Sequence, residues 1–415
     1  MERTDDSLHG RSGGVPMPVS RRSFLHALSP APAGPSSAFV AARGREAHAA
    51  EGASAPARRS AGALLLDSNE NPLGPGRAAM EALTRAFVDA GRYPTNARPS
   101  TADLREAIAH RVSVRPENVA LGAGSWELLR SAVRLHASSA RHLVTAAPTF
   151  EQPEKMAEQL GIGVHRVPVG EDGRIDLEAT AQAARWAGLI FFCNPNNPTS
   201  TVHPARAVTE FVTRVRKESP DTAILIDEAY HDYVTDPGYA TAVPLALEHP
   251  NVYVTRTLSK AYGLAGMRIG YAIGQPRAIE NFNRWGITFN QNSLAVAAAV
   301  ASLGDPAHIE AERARNTEAR AFTRRFFQDL GCRVMDSQAN FLFVETGRPA
   351  REFKEACARR GILVGRAFPP LDKSHARVSI GTVDEMQRAG VVIAEVLGAG
   401  RPVPAAASSP SRPPR

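Results

Sequence analysis

Three short apolar runs, Gly188–Cys193, Ala223–Asp227 and Asn251–Thr255, each stop at a polar cluster, and this recurrence constrains the fold more than any other feature of the chain. Runs this short and this rich in Leu, Ile, Val and Phe read as buried strands. Helical patterns separate them, which is the rhythm of an α/β fold with a mostly parallel sheet covered by helices. Open sheets of that kind place their ligands beyond the carboxyl ends of the strands, where these polar clusters lie. A helix is expected from near Ser125, because Trp126, Leu128, Leu129, Ala132 and Val133 recur at helical spacing directly after Gly122–Gly124.

Beyond the sheet region a second helix is expected over Arg313–Leu330, and from about residue 331 the pattern changes. Strands at Gly331–Met335 and Asn340–Val344, a helix at Arg351–Arg360 and further strands around Leu363 and Val378 describe a smaller α+β block with its own sheet. At 415 residues the chain can bury cores for both. The expected organisation is a leader over 1–60, an arm contributing to the small domain over 61–95, a large domain over 96–315, a small C-terminal domain over 316–400 and a tail over 401–415. Leader and tail are rich in Ala, Pro, Ser and Arg without a period, the composition of disordered segments.

The formal charge of +7 does not point to nucleic acid or a membrane surface, because residues 1–60 and 401–415 contribute +3 each and leave the body near neutral. Cys193, Cys332 and Cys357 are scattered, without the paired spacing of a zinc site or the density of a disulfide scaffold. No run approaches the roughly 20 apolar residues of a membrane-spanning helix. Ser20-Arg21-Arg22-Ser23-Phe24-Leu25, followed by Ala47-His48-Ala49, is similar to a twin-arginine export signal with a small-residue cleavage site. Two readings stand: an exported, periplasmic protein if the leader works, and a cytoplasmic one if it is only an unstructured Arg/Ala/Pro extension.

Chemistry concentrates in Thr257–Gly270, which contains Lys260. A lone lysine is ordinarily a solvated surface charge. Just beyond a strand end and among small and apolar groups, however, burial lowers its pKa and makes it a nucleophile toward an aldehyde. Thr257, Ser259 and Arg268 supply hydroxyls and a cation for a phosphate beside it. Asp227 ends a strand, where its carboxylate meets the ligand crevice. Two Asn-Pro pairs in Asn194–Ser200 build a turn that projects an amide toward the ligand crevice. Gly122–Gly124 opens a helix whose free N–H groups suit a phosphate. Taken singly these segments read as an N-cap, a β-turn and a Gly-rich turn; in this order along one chain they read as a site.

That order of motifs resembles the class I/II pyridoxal-phosphate (PLP) aminotransferases, and within them the histidinol-phosphate aminotransferase subfamily, over about Leu66–Met386. The resemblance implies fold type I and PLP as cofactor. It further implies that Lys260 carries the cofactor covalently and moves the proton at the substrate Cα. By the same resemblance Asp227 holds the ring nitrogen, and Tyr230 and Asn197 bind the ring oxygen. Gly124, Ser125, Trp126, Thr257, Ser259 and Arg268 hold the phosphate, and Phe150 stacks on the ring. Arg377 takes the α-carboxylate, Asn71 belongs to the loop that closes over substrate, and Asn290 lines the substrate pocket. Tyr93 reaches a partner subunit's phosphate, which implies a homodimer. The implied reaction moves an amino group from an L-amino acid to a 2-oxo acid.

Two positions depart from the family pattern. Ser200 stands where the motif usually has Gly, and Arg366 is displaced by one residue from the arginine that commonly reads a side-chain phosphate. In an extended segment that shift turns Arg366 to the opposite face, which argues against histidinol phosphate as the natural donor. A PLP lyase, cyclase or decarboxylase is the rival reading on the same residues, separated by product analysis. A catalytically dead scaffold used for binding is the rival of another class, and it does not explain why Lys260, Asp227, Asn197, Tyr230, Arg268 and Arg377 are all present.

Overall fold

Leu189, Phe191 and Cys193 point to one side of their strand and Ile190 and Phe192 to the other, and all five are buried. Such a strand needs a layer of helices on each face. In the computed structural model, which describes residues 62–287 and 289–398, it receives both. The strands are β1 (Leu64–Leu66), β2 (Val119–Ala123), β3 (His142–Ala147), β4 (Val164–Pro168), β5 (Ala187–Cys193), β6 (Ala223–Asp227), β7 (Val252–Thr257), β8 (Ile269–Ile273), β9 (Arg333–Val334), β10 (Phe341–Glu345), β11 (Ile362–Val364) and β12 (His375–Ser379).

Seven of them form the central sheet in the order β2-β8-β7-β6-β5-β3-β4. Pairing is parallel from β7 through to β4, and β8 alone is inserted antiparallel, between β2 and β7. One face buries Ile190, Phe192, Ile224, Ile226, Val252 and Val254. The other packs Leu189, Phe191, Leu225 and Tyr253 against Leu128, Leu129, Ala132 and Val133 of the helix Ser125–His136. Truncating a fully buried aromatic such as Phe192 costs about 3–5 kcal/mol.

The second block has its own core, built from Phe327, Leu342, Val344, Phe353, Val378 and Ile393. Its sheet runs β12-β10-β9, all antiparallel, and a separate parallel pair joins β1 to β11, with Leu64, Leu65 and Leu66 opposite Ile362, Leu363 and Val364. The arm at the start of the described residues therefore belongs physically to the small block. All described residues fall in one compact unit.

Three expectations need correction. The helix expected from Arg313 begins at Pro306 and runs unbroken to Asp329, so the boundary expected at residue 315 falls inside a continuous helix. Asp305 caps it through His308 N (3.2 Å) and Pro306 occupies the first turn, a start signal stronger than the apolar spacing that suggested Arg313. The strand expected over Gly331–Met335 shrinks to Arg333–Val334. The leader, its Arg-Arg motif, the Ala47–Ala49 segment and the tail lie outside the described residues. No helix among the described residues is long and apolar enough to cross a membrane.

Candidate active site

Parallel pairing in register brings Cys193, Asp227 and Thr255 side by side, and the chain leaves β5, β6 and β7 at the same edge of the sheet. A cavity of about 650 Å3 opens there. Its lining joins both blocks, with Asp67–Glu70 after β1, Ser125, Trp126, Phe150, Asn197, Asp227, Tyr230, Thr257, Ser259, Lys260 and Arg268 from the large block, and Lys354, Arg366 and Arg377 from the small one.

Asp227 is 3% exposed, and burial pushes its carboxyl up to about 7. A hydrogen bond from Thr255 Oγ1 (3.0 Å) pulls the other way, and the neighbouring Glu228 adds to the rise. Glu228 itself is committed to Arg256 at 2.8 Å. A buried acid with no cation at hydrogen-bond distance is suited to a cationic ligand group entering from the cavity.

Lys260 lies three residues beyond β7, where burial first and the Arg377 guanidinium second press its amine down to about 8. Its Nζ donates to Ser68 O (3.1 Å) and sits 5.9 Å from the Tyr230 ring centroid. The Tyr230 hydroxyl accepts from Asn69 Nδ2 (3.1 Å) and Asn197 Nδ2 (3.3 Å), and burial raises its pKa. Asn197 Oδ1 in turn accepts from Arg377 Nη1 (2.9 Å). Arg377 is buried, donates Nη2 to Asp67 O, and leaves Nε with no partner. Burial brings this guanidinium down to about 10, and no carboxylate pairs with it among the described residues.

A second cluster forms where the helix Ser125–His136 begins. Gly124 is its N-cap at φ +79°, and a Cβ there would stand 2.1 Å from Arg268 Nη2. A Cβ on Gly270 would stand 2.1 Å from Ser125 N. The two glycines thus let the helix start, the Arg268 guanidinium and β8 approach closely. Ser259 Oγ accepts from Arg268 Nη1 (3.1 Å) and lies 3.0 Å from Thr257 Oγ1. Free N–H groups, two hydroxyls and a cation converge as a phosphate requires. The Lys260 amine, the buried Asp227, Tyr230 with Asn197, Phe150 and the cluster of Ser125, Thr257, Ser259 and Arg268 therefore stand around one cavity, a donor set that fits PLP.

Two expected residues lie elsewhere, and Tyr93, expected at a partner's site, lies on the surface. Asn71 does not line the cavity; its side chain ties its loop to the Lys260 segment, donating to Ala261 O (3.0 Å) and accepting from Leu73 N (2.9 Å). Asn69, at φ +54°, faces the site instead; it belongs to the same Asp-Ser-Asn-Glu-Asn stretch, and nothing in spacing alone separates the two asparagines. Asn290 donates to Glu127 Oε2, away from this cavity. Tyr93 is 65% exposed on the surface, its ring 4.9 Å from that of Phe289. Arg366, expected to face away, faces the cavity. β11 ends at Val364, so strand alternation no longer governs residue 366. Its guanidinium lines the cavity, pairs with Glu151 and stacks 3.9 Å from the Phe368 centroid. Glu151, Lys354 and Glu70 line the cavity without any sequence signal beyond proximity to a motif.

The family model for aminotransferase class I and II matches residues 61–393. A histidinol-phosphate aminotransferase of Anaeromyxobacter sp. (strain Fw109-5) is 36% identical over 340 residues, covering 80% of this chain and 91% of that protein. An aromatic amino acid aminotransferase of Thermobifida fusca is 37% identical over 321 residues, 77% of this chain and 86% of that one. The crystal structure of histidinol-phosphate aminotransferase from Sinorhizobium meliloti, in complex with pyridoxal-5'-phosphate, superposes with a TM-score of 0.74 at 29% identity, covering 81% of this chain and 91% of that one.

Proposed function

Because the chain belongs to the class I and II aminotransferases, we propose that the cavity between its two blocks binds an L-amino acid and then a 2-oxo acid, with Lys260, Asp227, Tyr230 and Arg377 as its working residues. The protein is a PLP-dependent, histidinol-phosphate-aminotransferase-like transaminase. The observation that carries the reading of the site is the Lys260 amine, pressed to about 8 by burial, in one cavity with the buried Asp227 and an Arg377 guanidinium whose Nε has no partner among the described residues.

PLP, when bound, supplies the carbonyl that receives the amino group and the ring that withdraws electrons from the substrate Cα. Ser125, Thr257, Ser259 and Arg268 would hold its phosphate at the helix start. Asp227 would pair with the protonated ring nitrogen, and Tyr230 and Asn197 would donate to the ring oxygen. Lys260, its amine pressed to about 8 by burial, would take the proton from the substrate Cα and deliver it to the cofactor's carbonyl carbon. Arg377 orients the α-carboxylate, a task suited to a planar guanidinium.

Arg377 also supports a donor with a free α-carboxylate, and Arg366, already engaged by Glu151, supports an amino acid over histidinol phosphate. We further read the enzyme as a homodimer. Phe87, Val88, Tyr93, Ile287 and Phe289 are 53–88% exposed, and the segments that carry them meet around the groove lined by Ala90–Pro94 and Gln291–Leu294. An apolar group of that size is what a partner covers.

The test is a half-reaction. The PLP-loaded protein is mixed with each of a panel of L-amino acids, the cofactor's visible absorption is followed, and the organic product is identified. Loss of the absorption with formation of the matching 2-oxo acid, reversed by a second 2-oxo acid, is the expected result. Release of carbon dioxide or an elimination product would place the chain with the lyases and decarboxylases instead.

A further inference from the structure

Two guanidinium groups of the cavity lie beside one ring: the guanidinium carbon of Arg377 is 4.9 Å from the centroid of Phe368, and that of Arg366 is 3.9 Å from it. One aromatic ring therefore spaces two guanidinium groups that both line the cavity. They differ in what they hold. Among the described residues Arg377 pairs with no carboxylate and keeps a buried Nε without a partner, whereas Arg366 is ion-paired with Glu151, whose other oxygen accepts from Lys155 Nζ at 3.1 Å.

We propose that Glu151 is a specificity-determining residue, an internal counter-ion that occupies Arg366 and that a substrate side chain bearing its own anion must displace. The proposal rests on the aminotransferase reading of the cavity, in that Arg377 takes the α-carboxylate and leaves Arg366 for the far end of the side chain. Three observations carry it. Glu151 directly follows Phe150 and caps the helix Gln152–Gln159, so its carboxylate is presented from a fixed backbone rather than from a wandering loop. Lys354 also lines the cavity and makes no ion pair among the described residues, so an incoming anion would meet two cations. Lys155 remains with Glu151 once Arg366 is taken, so the displaced carboxylate is not stranded. A neutral side chain leaves the Arg366–Glu151 pair closed, and an anionic one has to open it.

An ion pair with side chains 43% and 18% exposed contributes modestly in water, so the bias it imposes is about fivefold. The probes are glutarate and its monoamide, which share length and one carboxylate and differ in the charge of the far end. Their dissociation constants are measured by calorimetry on the PLP-loaded enzyme at low salt. Glu151→Gln is expected to raise the preference for glutarate over the monoamide about fivefold, and Glu151→Asp to keep it near the wild-type value. In the Arg366→Ala background Glu151→Gln should bring no such rise. An unchanged or reduced preference in Glu151→Gln overturns the proposal, as does a rise that persists without Arg366, or failure of both acids to bind any of these proteins. Binding of these inert acids needs no turnover, so loss of the transaminase reading in the half-reaction would show separately.

Discussion

Lys260 is one of five lysines in the chain, and Lys354 is the other that lines the cavity. Borohydride reduction of the PLP-loaded protein followed by peptide mapping should therefore place the cofactor on Lys260 alone, and Lys260→Ala should abolish the attachment. Label on Lys354, Lys155 or Lys217 would end the assignment. Asp227 carries a different cost. Its carboxyl titrates near 7 in the folded, cofactor-free chain against an ordinary 3.8. A raised folded pKa means that the protonated form suits the fold, so its contribution is complete below about pH 3.8 and is lost as pH rises through about 7. The full loss is about 4 kcal/mol. Without cofactor, Asp227→Asn should thus gain on wild type in urea unfolding as pH rises from 4 to 8, and with cofactor it should lose turnover. A stability difference that is flat with pH would refute the burial argument. Arg377→Ala should cost donors with a free α-carboxylate about 2–5 kcal/mol in kcat/KM, and an equal loss for a donor lacking that group would refute its role.

At the scale of elements, the cradle depends on how closely β8 approaches the helix Ser125–His136. Gly270→Ala sets a Cβ against Ser125 N, backbone that cannot step aside. The helix start must then retreat from Arg268, and the PLP dissociation constant should rise more than about tenfold with the far-ultraviolet circular dichroism unchanged. Unchanged affinity would show that the cradle tolerates the shift. The sheet and this helix were legible in the chain because burial on both faces leaves unbroken apolar runs, as in Ala223–Asp227, and because Gly124 punctuates the start. The cavity residues at strand ends and helix starts were legible for a related reason, since such positions bear local marks. The substrate end was not. Asn69 and Asn71 differ only in which one the left-handed turn at residue 69 aims inward, and Arg366 misled because alternation was extended two residues past the end of β11. Glu151 earned its place through a contact 215 residues away in the chain, and no local pattern records a contact of that range.

For the molecule as a whole, the exposed group around Val88, itself 88% exposed, predicts that Val88→Asp yields monomers by light scattering. With Tyr93 on the same surface, those monomers should also bind PLP more weakly. A monomeric variant that keeps full affinity would show that each subunit's site is self-sufficient. The parallel pair of β1 with β11 has a consequence for how the protein is made. A ribosome delivers Leu64–Leu66 nearly three hundred residues before Ile362–Val364, so the first strand must wait, without its partner, until almost the entire chain has emerged. Asp67–Glu70, which directly follow that strand and wall one side of the cavity, wait with it. Chains still tethered to the ribosome can thus hold a finished sheet and phosphate cradle and yet lack a finished active site, so activity arrives in one late step when the two ends of the fold are stitched together.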